Sequence, residues 1–195
     1  MSDEYQVKVI TAPTVEPVTL TEAKVHVRVD HDADDAYIAT LITAAREHCE
    51  TIAWRAFITQ TLELSLAGWP CDNIIRLPRP PLASVTSITY YAEDNSSATM
   101  SSGDYIAITD VEPGLITLAK NKTWPTATLR TVLPIRVRYV AGYGATGVSV
   151  PARYKQAMLL LLGHWYENRE AVNVGNIVNA LPMAVDALLL ADRGW

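Results

Sequence analysis

The spacing of apolar residues in this sequence changes twice, and those changes limit the folds open to the chain. Over residues 36–53, apolar residues recur at intervals of three and four, which is typical of an amphipathic helix. From residue 57 to about residue 140 the interval is two, which is typical of half-buried strands. A helical spacing returns after Pro151. This order predicts an α+β fold, with an antiparallel β module inserted between the second and third helices.

The two N-terminal helices are marked by polar residues at their starts. Residues 19–22, Thr-Leu-Thr-Glu, form a capping box, so a short helix is expected from residue 20 to about residue 29. The acidic residues of the turn 30–35 are interpreted as capping groups for the next helix. The apolar stripe of that helix is Ile38, Leu41, Ile42, Ala45, Cys49 and Ile52, and its other face carries Thr40, Thr43, Arg46, Glu47 and Glu50.

Two more helices are predicted after the β module. A long helix begins near Pro151 and is apolar on every face over residues 157–163, so other elements are expected to cover it all round. A linker over residues 173–179 then leads to a short C-terminal helix over residues 181–192. The chain is therefore predicted to hold two N-terminal helices, a long helix and a short C-terminal helix.

The β module is predicted to hold short strands joined by turns rich in Gly, Pro and Asn. The strands are expected at residues 58–66, 82–91, 104–108, 115–118 and 135–140. Residues 77–82, Leu-Pro-Arg-Pro-Pro-Leu, resemble a polyproline II ligand but lie between two strands, so a stiff extended corner is expected there.

The whole chain, residues 1–195, is expected to form a single domain. Residues 1–18 are interpreted as an extended N-terminal arm, residues 19–54 and 151–192 as a helical core, and residues 57–146 as the inserted β module.

Composition narrows the function classes. The net charge is −5 and the pI is about 5.3. An acidic chain is not expected to bind nucleic acid through its overall charge, because phosphate binding needs a basic face. The longest apolar run is far shorter than the roughly 20 residues of a membrane span, so no membrane association is expected. Cys49 is predicted to be a small buried thiol, which fits a reducing cytoplasm.

No catalytic, cofactor or metal site is predicted, and the chain is not expected to be an enzyme. Residues 142–147 match the spacing G-x-G-x-x-G, but the helix begins only after four further residues, and a glycine-rich corner is expected instead. The acidic turn 30–35 lacks the glycine and the distal glutamate of an EF-hand. His164 has no nucleophile or metal-binding motif near it in sequence, so an anchoring role is favoured over that of a general base.

Seven motifs, in this order, resemble those of tailed-phage head–tail connector proteins. They span roughly residues 17–190, and they are Pro17-Val18-Thr19-Leu20-Thr21-Glu22-Ala23-Lys24, Val27-Arg28-Val29-Asp30 with Asp34-Asp35 and Leu41-Ile42, Ile58-Thr59-Gln60-Thr61, Leu77-Pro78-Arg79-Pro80-Pro81-Leu82 with Val85-Thr86-Ser87-Ile88, Tyr139-Val140-Ala141-Gly142-Tyr143-Gly144, Val150-Pro151, and His164-Trp165-Tyr166-Glu167-Asn168-Arg169-Glu170.

The resemblance implies a structural virion protein, an adaptor without enzymatic activity. Such proteins form a homo-oligomeric ring of about 12 copies beneath the portal protein, extend the DNA channel and receive the stopper, or head-completion, protein. The implied location is the neck at the portal vertex, after assembly in the host cytoplasm. Genomic DNA is expected to pass through the lumen without specific binding, because an acidic wall repels phosphates.

Two segments are candidate contacts with the portal or with a neighbouring subunit. The first is the aromatic and charged collar at the end of the long helix, and the second is the apolar C-terminal tail, which has few residues left to cover it. The candidate residues are His164, Trp165, Tyr166, Arg169, Leu181, Leu188, Leu189, Leu190 and Trp195.

Two other interpretations remain open at this point. The chain could be another neck component, such as the stopper or a tail-completion protein, although stoppers resemble small β-barrels with little helix. A more remote alternative is an enzyme with a β insert, which would need a polar constellation in a pocket that the sequence does not display.

Overall fold

A computed structural model describes residues 5–169 and 183–190 of the chain. The chain divides into two compact units: a β unit, Met1–Pro13 with Thr59–Tyr143, and a helical unit, Thr14–Ile58 with Gly144–Trp195. Within these described residues, four helices and two antiparallel sheets make the fold α+β, as predicted.

The helical unit contains α1 (Leu20–Val27), α2 (Asp35–Ala53), α3 (Ala152–Glu167) and α4 (Met183–Leu190). The predicted capping box opens α1: the Glu22 amide donates to Thr19 Oγ1 at 3.1 Å, and the Thr19 amide donates to Glu22 Oε2 at 2.8 Å. Lys155 of α3 forms an ion pair with Glu22 at 2.8 Å, and this pair, with the Thr19 amide, lowers the pKa of Glu22 to about 2. The same carboxylate therefore caps α1 and ties α3 to it.

The core of the helical unit lies where α3 packs on α1, α2 and α4. The predicted stripe of α2 is buried from Ile38 to Cys49, and the ring of Tyr154 stacks on Phe57 with centroids 4.7 Å apart. The expectation that α3 is covered all round is wrong within the described structure. Leu159 and Leu160 are only half-buried, because α1, α2 and α4 cover one side of α3, where the buried residues are Tyr154, Ala157, Met158, Leu161 and Leu162.

The polar face of α2 is partly buried, which the sequence pattern did not indicate. Arg46 and Glu50 are 6% and 3% exposed, respectively. The segment before α1 accounts for this, since Glu16 accepts hydrogen bonds from Thr43 at 3.0 Å and from Arg46 Nε at 2.8 Å. Arg46 Nη1 also donates to Glu50 Oε2 at 3.0 Å, and Glu50 Oε1 accepts from the amide of Phe57 at 2.7 Å. The buried carboxylate oxygens and the guanidinium thus act as hydrogen-bond partners for one another inside the helical unit.

The expectation that acidic residues of the turn 30–35 lie at the positive end of α2 is confirmed for Asp34, at the N-cap position, and Asp35, in the first turn, but the expected side-chain capping is wrong. Asp34 occupies the N-cap position of α2 but makes no side-chain capping bond. Lys24 instead forms ion pairs with both Asp32 and Asp35, and its Nζ lies 2.7 Å from an oxygen of each carboxylate. The carboxylates of Asp32 and Asp35 therefore bind Lys24 and do not cap the amides of α2, as the sequence had suggested.

The β unit contains two antiparallel sheets, a five-stranded sheet in the order β1-β2-β8-β4-β5 and a three-stranded sheet in the order β3-β7-β6. The strands are β1 (Tyr5–Thr11), β2 (Gln60–Leu66), β3 (Ile74–Leu77), β4 (Leu82–Tyr91), β5 (Ser97–Thr99), β6 (Tyr105–Ile108), β7 (Gly114–Leu118) and β8 (Ile135–Ala141).

All five predicted strands are confirmed, and three further strands were missed. β3 and β5 have only four and three residues, which is too short for a clear period. β1 lies in the segment expected to be an extended arm and pairs with β2 along its length. Its alternation of Tyr5, Val7 and Val9 with Gln6 and Lys8 is a strand signal that the pattern contained.

The core of the β unit lies between its two sheets. Leu62, Leu64, Ile88, Val137 and Tyr139 of the first sheet are at most 1% exposed, and so are Leu77 and Ile116 of the second.

Gly114 is required where β7 approaches β4. A Cβ at this position would lie 2.4 Å from the Cβ of Leu82, closer than packed carbon atoms can approach.

Two loops identified in the sequence have defined structures. The expected corner over residues 78–81 is present, but it is bent instead of extended: residues 78–80 form a bend, and Arg79 has a φ of 58°. The glycine corner after β8 is confirmed, with a short 3₁₀ turn at Gly147–Ser149 before α3. A Cβ on Gly147 would lie 2.5 Å from the carbonyl oxygen of Pro17, which is too close for any residue larger than glycine.

Candidate assembly interface

Two of the predicted interface residues at the end of α3 converge on the start of α2. Tyr166 Oη donates a hydrogen bond to Asp34 Oδ2, and Arg169 Nη2 contacts the same oxygen at 2.9 Å. The guanidinium of Arg169 also lies over the rings of Tyr37 and Tyr166, 4.7 Å and 4.9 Å from their centroids. We call Asp34, Tyr37, Tyr166 and Arg169 the Asp34 clasp. It joins the C-terminal end of the α3 segment to the start of α2.

The clasp is an ionised cluster at neutral pH. The hydrogen bond from Tyr166 and then that from Arg169 hold the pKa of Asp34 below its usual value. The carboxylate of Asp34 in turn raises the pKa of Tyr166 and that of Arg169. All three groups thus favour the state in which Asp34 is negative, Tyr166 is neutral and Arg169 is positive.

His164 and Trp165 lie outside the clasp. Trp165 meets the ring of His48 edge-on, with centroids 5.9 Å apart, and is half-buried. The backbone carbonyl of His164 accepts hydrogen bonds from the amide and the side chain of Asn168, at 3.1 and 2.9 Å, which ends α3. Within the subunit, the four collar residues therefore have different partners: two bind Asp34, one packs on another part of α2, and one lies at the helix end. The collar stays a candidate contact with the portal or a neighbouring subunit.

The C-terminal candidates divide between the core and the surface. Leu189 is 2% exposed and Val185 is fully buried, so the expectation that the whole apolar tail is uncovered is wrong for Leu189. Leu188 is half-buried, and Leu190 is 40% exposed. Leu181 and Trp195 lie outside the described residues. In the described part of α4, Leu190 is the candidate with the most accessible side chain.

The described residues contain no group of three or more His, Cys, Asp or Glu side chains placed to hold a metal ion. No helix among them is long and apolar enough to cross a bilayer.

Cys49 is buried as predicted, and burial, together with the neighbouring Glu50, raises the pKa of its thiol to about 12. A shallow cleft in the β unit is lined by Trp124, Pro125 and Asp104, and Asp104 is paired with Lys122 at 2.6 Å.

The sequence matches the family described as "Head completion protein" over residues 16–176, which is most of the chain. The chain belongs to the head completion protein family. This match confirms, at the level of family, the resemblance to phage head–tail connector proteins. No curated protein sequence matches the chain significantly.

Solved structures share the fold of this head completion family member. A chain of "Virion of native gene transfer agent (GTA) particle" superposes with a TM-score of 0.78, at 24% identity, over 95% of this chain and 94% of the other. A chain of "Neck of empty GTA particle computed with C6 symmetry" gives a TM-score of 0.77 at 24% identity, over 95% and 94% of the two chains. A chain of "Neck of native GTA particle computed with C12 symmetry" gives 0.71 at 24% identity, over 95% and 93%.

Proposed function

We propose that this protein is a structural component of the virion neck, an adaptor whose ring joins the portal to the stopper or tail and extends the DNA channel. The observation that carries the proposal is the family match over residues 16–176. The fold likeness to chains of gene transfer agent particles, two of them titled as neck structures, supports it. The proposed role is mechanical and needs no catalytic residue.

The proposed assembly is a closed ring of about 12 copies. One of the similar neck structures was computed with C12 symmetry and another with C6, and both symmetries are compatible with twelve subunits. A ring of identical chains needs two different faces on each subunit, so that one face of each copy meets the other face of the next.

The charge distribution suits a channel that releases DNA. The helical unit carries 12 acidic and 8 basic residues, and the β unit carries 9 and 8, so most of the net charge of −5 belongs to the helical unit. We propose that acidic residues of the ring border the lumen, where they would repel phosphates and let the genome slide.

We further propose that the segment 181–195 docks onto the portal, with Leu190 and Trp195 among its contacts. The exposed Leu190 side chain supports this. Deleting residues 181–195 should abolish portal binding, and replacing Leu190 with Asp should weaken it in a chain that keeps the buried Leu189. Val132→Asp, at an exposed position in the β unit, is the matched control. Unchanged portal binding after the deletion would reject this docking site.

The experiment that tests the function mixes the purified chain with the portal protein of the same particle. We expect a ring with a mass of about 12 times 21.4 kDa bound to the portal, measured by mass photometry. A stable monomer that does not bind the portal, or one that hydrolyses a substrate, would contradict the proposal. The second of these results would favour the enzyme alternative.

The stopper is the second candidate, and the description of the matched family as head completion protein favours it. The two roles differ in their order of binding. An adaptor binds the isolated portal, whereas a stopper binds only after an adaptor ring is in place. A pull-down with the portal alone therefore separates the two candidates.

A further inference from the structure

The five-stranded sheet of the β unit carries two rows of polar side chains on the side away from its core. One row contains Lys8, Glu63, Arg138 and Ser87, and the next contains Gln6, Ser65, Arg136, Thr89 and Thr99. Paired residues of an antiparallel sheet point to the same side, and successive residues of a strand point to opposite sides. The residues that point the other way are buried, namely Leu62, Leu64, Ile88, Val137 and Tyr139. The outer side of this sheet is therefore polar along both rows.

Basic residues are concentrated on this outer side. Lys8 is exposed, and the side chains of Arg136 and Arg138 are 42% and 44% exposed. Tyr91 follows Thr89 by two positions on β4, so its ring lies on the same side. The guanidinium groups of Arg130 and Arg136 lie over this ring, 4.1 Å and 5.1 Å from its centroid. We call Lys8, Arg130, Arg136 and Arg138 the basic sheet face.

Glu63 is the one carboxylate in the two rows. Its side chain is 10% exposed and lies 2.8 Å from Arg138 and 3.7 Å from Arg136, so it orients both guanidinium groups from below. Glu93 and Asp94 lie beyond the paired rows, in the turn that follows β4. Four basic residues and one acidic residue give the face a net positive charge.

The face is an exception within its own unit. The β unit holds eight basic and nine acidic residues, so the face gathers half of the basic residues and one of the nine carboxylates. The rest of the β unit is left with four basic and eight acidic residues. Strand register therefore creates a local basic surface on a chain whose overall charge is negative.

We propose that the basic sheet face binds the phosphate backbone of double-stranded DNA. A positive patch on one face is what phosphate binding requires, and the overall charge of the chain does not supply it. Contacts of this kind carry no sequence information and let DNA slide, so they suit a genome that moves past the protein. This inference goes beyond the proposed function, which needs no DNA contact, and it does not depend on a ring because the face lies within one β unit.

The neighbours of the arginines favour a phosphate backbone over an acidic protein. Phosphate oxygens accept hydrogen bonds from Arg and Lys together with Ser, Thr and Gln side chains. The register places Ser87 beside Arg138, and it places Ser65 and Thr89 on either side of Arg136. Protein interfaces ordinarily have an apolar centre, whereas neither row of this sheet contains an apolar side chain.

The surroundings of Tyr91 favour a duplex over a single strand. Proteins that bind single strands use free aromatic rings on which bases stack. The guanidinium groups of Arg130 and Arg136 lie over the ring of Tyr91, so these cations occupy the aromatic surface that a base would need.

Fluorescence anisotropy with a labelled DNA duplex tests the proposal on the chain of residues 1–195 without the portal. With three phosphates neutralised, raising the salt from about 50 to about 200 mM should weaken binding about 40-fold. Two duplexes of unrelated sequence should bind alike. The proposal is wrong if low salt gives no binding at chain concentrations up to about 10⁻⁴ M, the weak end of non-specific DNA binding. It is also wrong if the affinity does not change with salt.

Substitutions locate the contact. Lys8→Gln and Arg138→Gln should each weaken binding at low salt and reduce the loss between the two salt concentrations to about 12-fold, because one phosphate contact fewer releases fewer counterions. Arg138→Lys keeps the charge and should bind like wild type. Lys8→Gln leaves both ion pairs of Glu63 in place, and circular-dichroism melts show whether each variant is folded.

Arg76→Gln is the matched control. It removes the same charge from an arginine of the other sheet whose side chain is 60% exposed, so binding should stay at the wild-type level. Equal losses for Arg76→Gln and Arg138→Gln would show that only the overall charge matters, and they would overturn the assignment to this face.

Two further outcomes define what the face binds and how this bears on the neck. Poly-glutamate that competes as strongly as unlabelled duplex of equal charge would show a docking surface for acidic protein and would overturn the proposal. If the chain forms rings on the portal but binds no DNA, this inference fails and the adaptor role stands. If it binds DNA through this face but forms no ring, the proposed function fails and the inference stands.

Discussion

Arg46 shows how single polar residues hold the helical unit together. Its guanidinium lies between Glu16 and Glu50, and both Arg46 and Glu50 are almost fully buried. Burial alone would lower the pKa of Arg46, but the charges of Glu16 and Glu50 raise it, so the group remains a cation. The N-terminal segment, α2 and the amide of Phe57 are thus joined by one network.

We predict that Arg46→Ala destabilises the chain by about 3–5 kcal/mol, because it removes the cation from a buried carboxylate. Glu47→Ala is the matched control. Its carboxylate lies 3.5 Å from the same guanidinium but is 67% exposed, so its loss should change the free energy of unfolding by no more than about 0.5 kcal/mol. Urea unfolding measures both variants, and equal effects would contradict the network.

The two cysteines should differ in reactivity. Burial keeps Cys49 protonated, with a pKa of about 12, whereas Cys71 is exposed. We predict that one thiol reacts with maleimide in the native chain and two react in urea, as counted by mass spectrometry. The Cys71→Ser variant should show no fast native reaction, and rapid labelling of that variant would show that Cys49 is accessible.

At the scale of elements, the Asp34 clasp links the end of α3 to the start of α2. Its stability should depend on pH in a definite direction, since the pKa of Asp34 is lowered in the folded state. The stabilisation is therefore fully present above the unfolded value of about 3.9 and is lost as the pH falls through the lower folded value.

We predict that Asp34→Asn lowers the melting temperature at neutral pH, and that its difference from wild type closes as the pH falls below the folded pKa of Asp34. Asp30→Asn, in the same turn but outside the clasp, should melt like wild type at neutral pH. A wild-type advantage over Asp34→Asn that stays constant down to the lowest pH would show that the charge of Asp34 is not what holds the clasp.

The helix α4 offers a further test, because two adjacent leucines on it have different surroundings. Leu189→Ala should cost about 2–5 kcal/mol, because Leu189 is 2% exposed. Leu190→Ala should cost far less, because Leu190 is 40% exposed. If chemical denaturation finds the two variants equally stable, the packing of α4 described here is wrong.

Elements with strong local signals could be predicted from the sequence, and those decided by distant contacts could not. The capping box of α1 and the apolar stripe of α2 need only neighbouring residues, and both were found. The burial of Arg46 depends on Glu16, thirty positions away, and the clasp depends on Asp34 meeting Tyr166. An amphipathic pattern assigns such residues to the solvent face, because it contains no information on which segment will cover them.

At the scale of the whole molecule, the order of helices and sheets was predictable, whereas the contacts of the collar residues within the subunit were not. The collar stays a candidate contact with the portal or a neighbouring subunit, and within the subunit its residues are divided between the Asp34 clasp and other contacts. The buried apolar side of the three-stranded sheet depends on the register of β3, β7 and β6, and β3 is too short to be recognised from its period. Surfaces built from short strands can be assigned only once the strand pairing is known.

The central claim is that copies of this chain form a ring in the neck of a virion. A cryo-electron microscopy reconstruction of the neck in the particle that encodes the chain tests it most directly. The account predicts a closed ring of about 12 copies of this fold between the head and the tail, in contact with the portal. A neck whose density is fully explained by other proteins, with this chain absent from the purified particle, would contradict it.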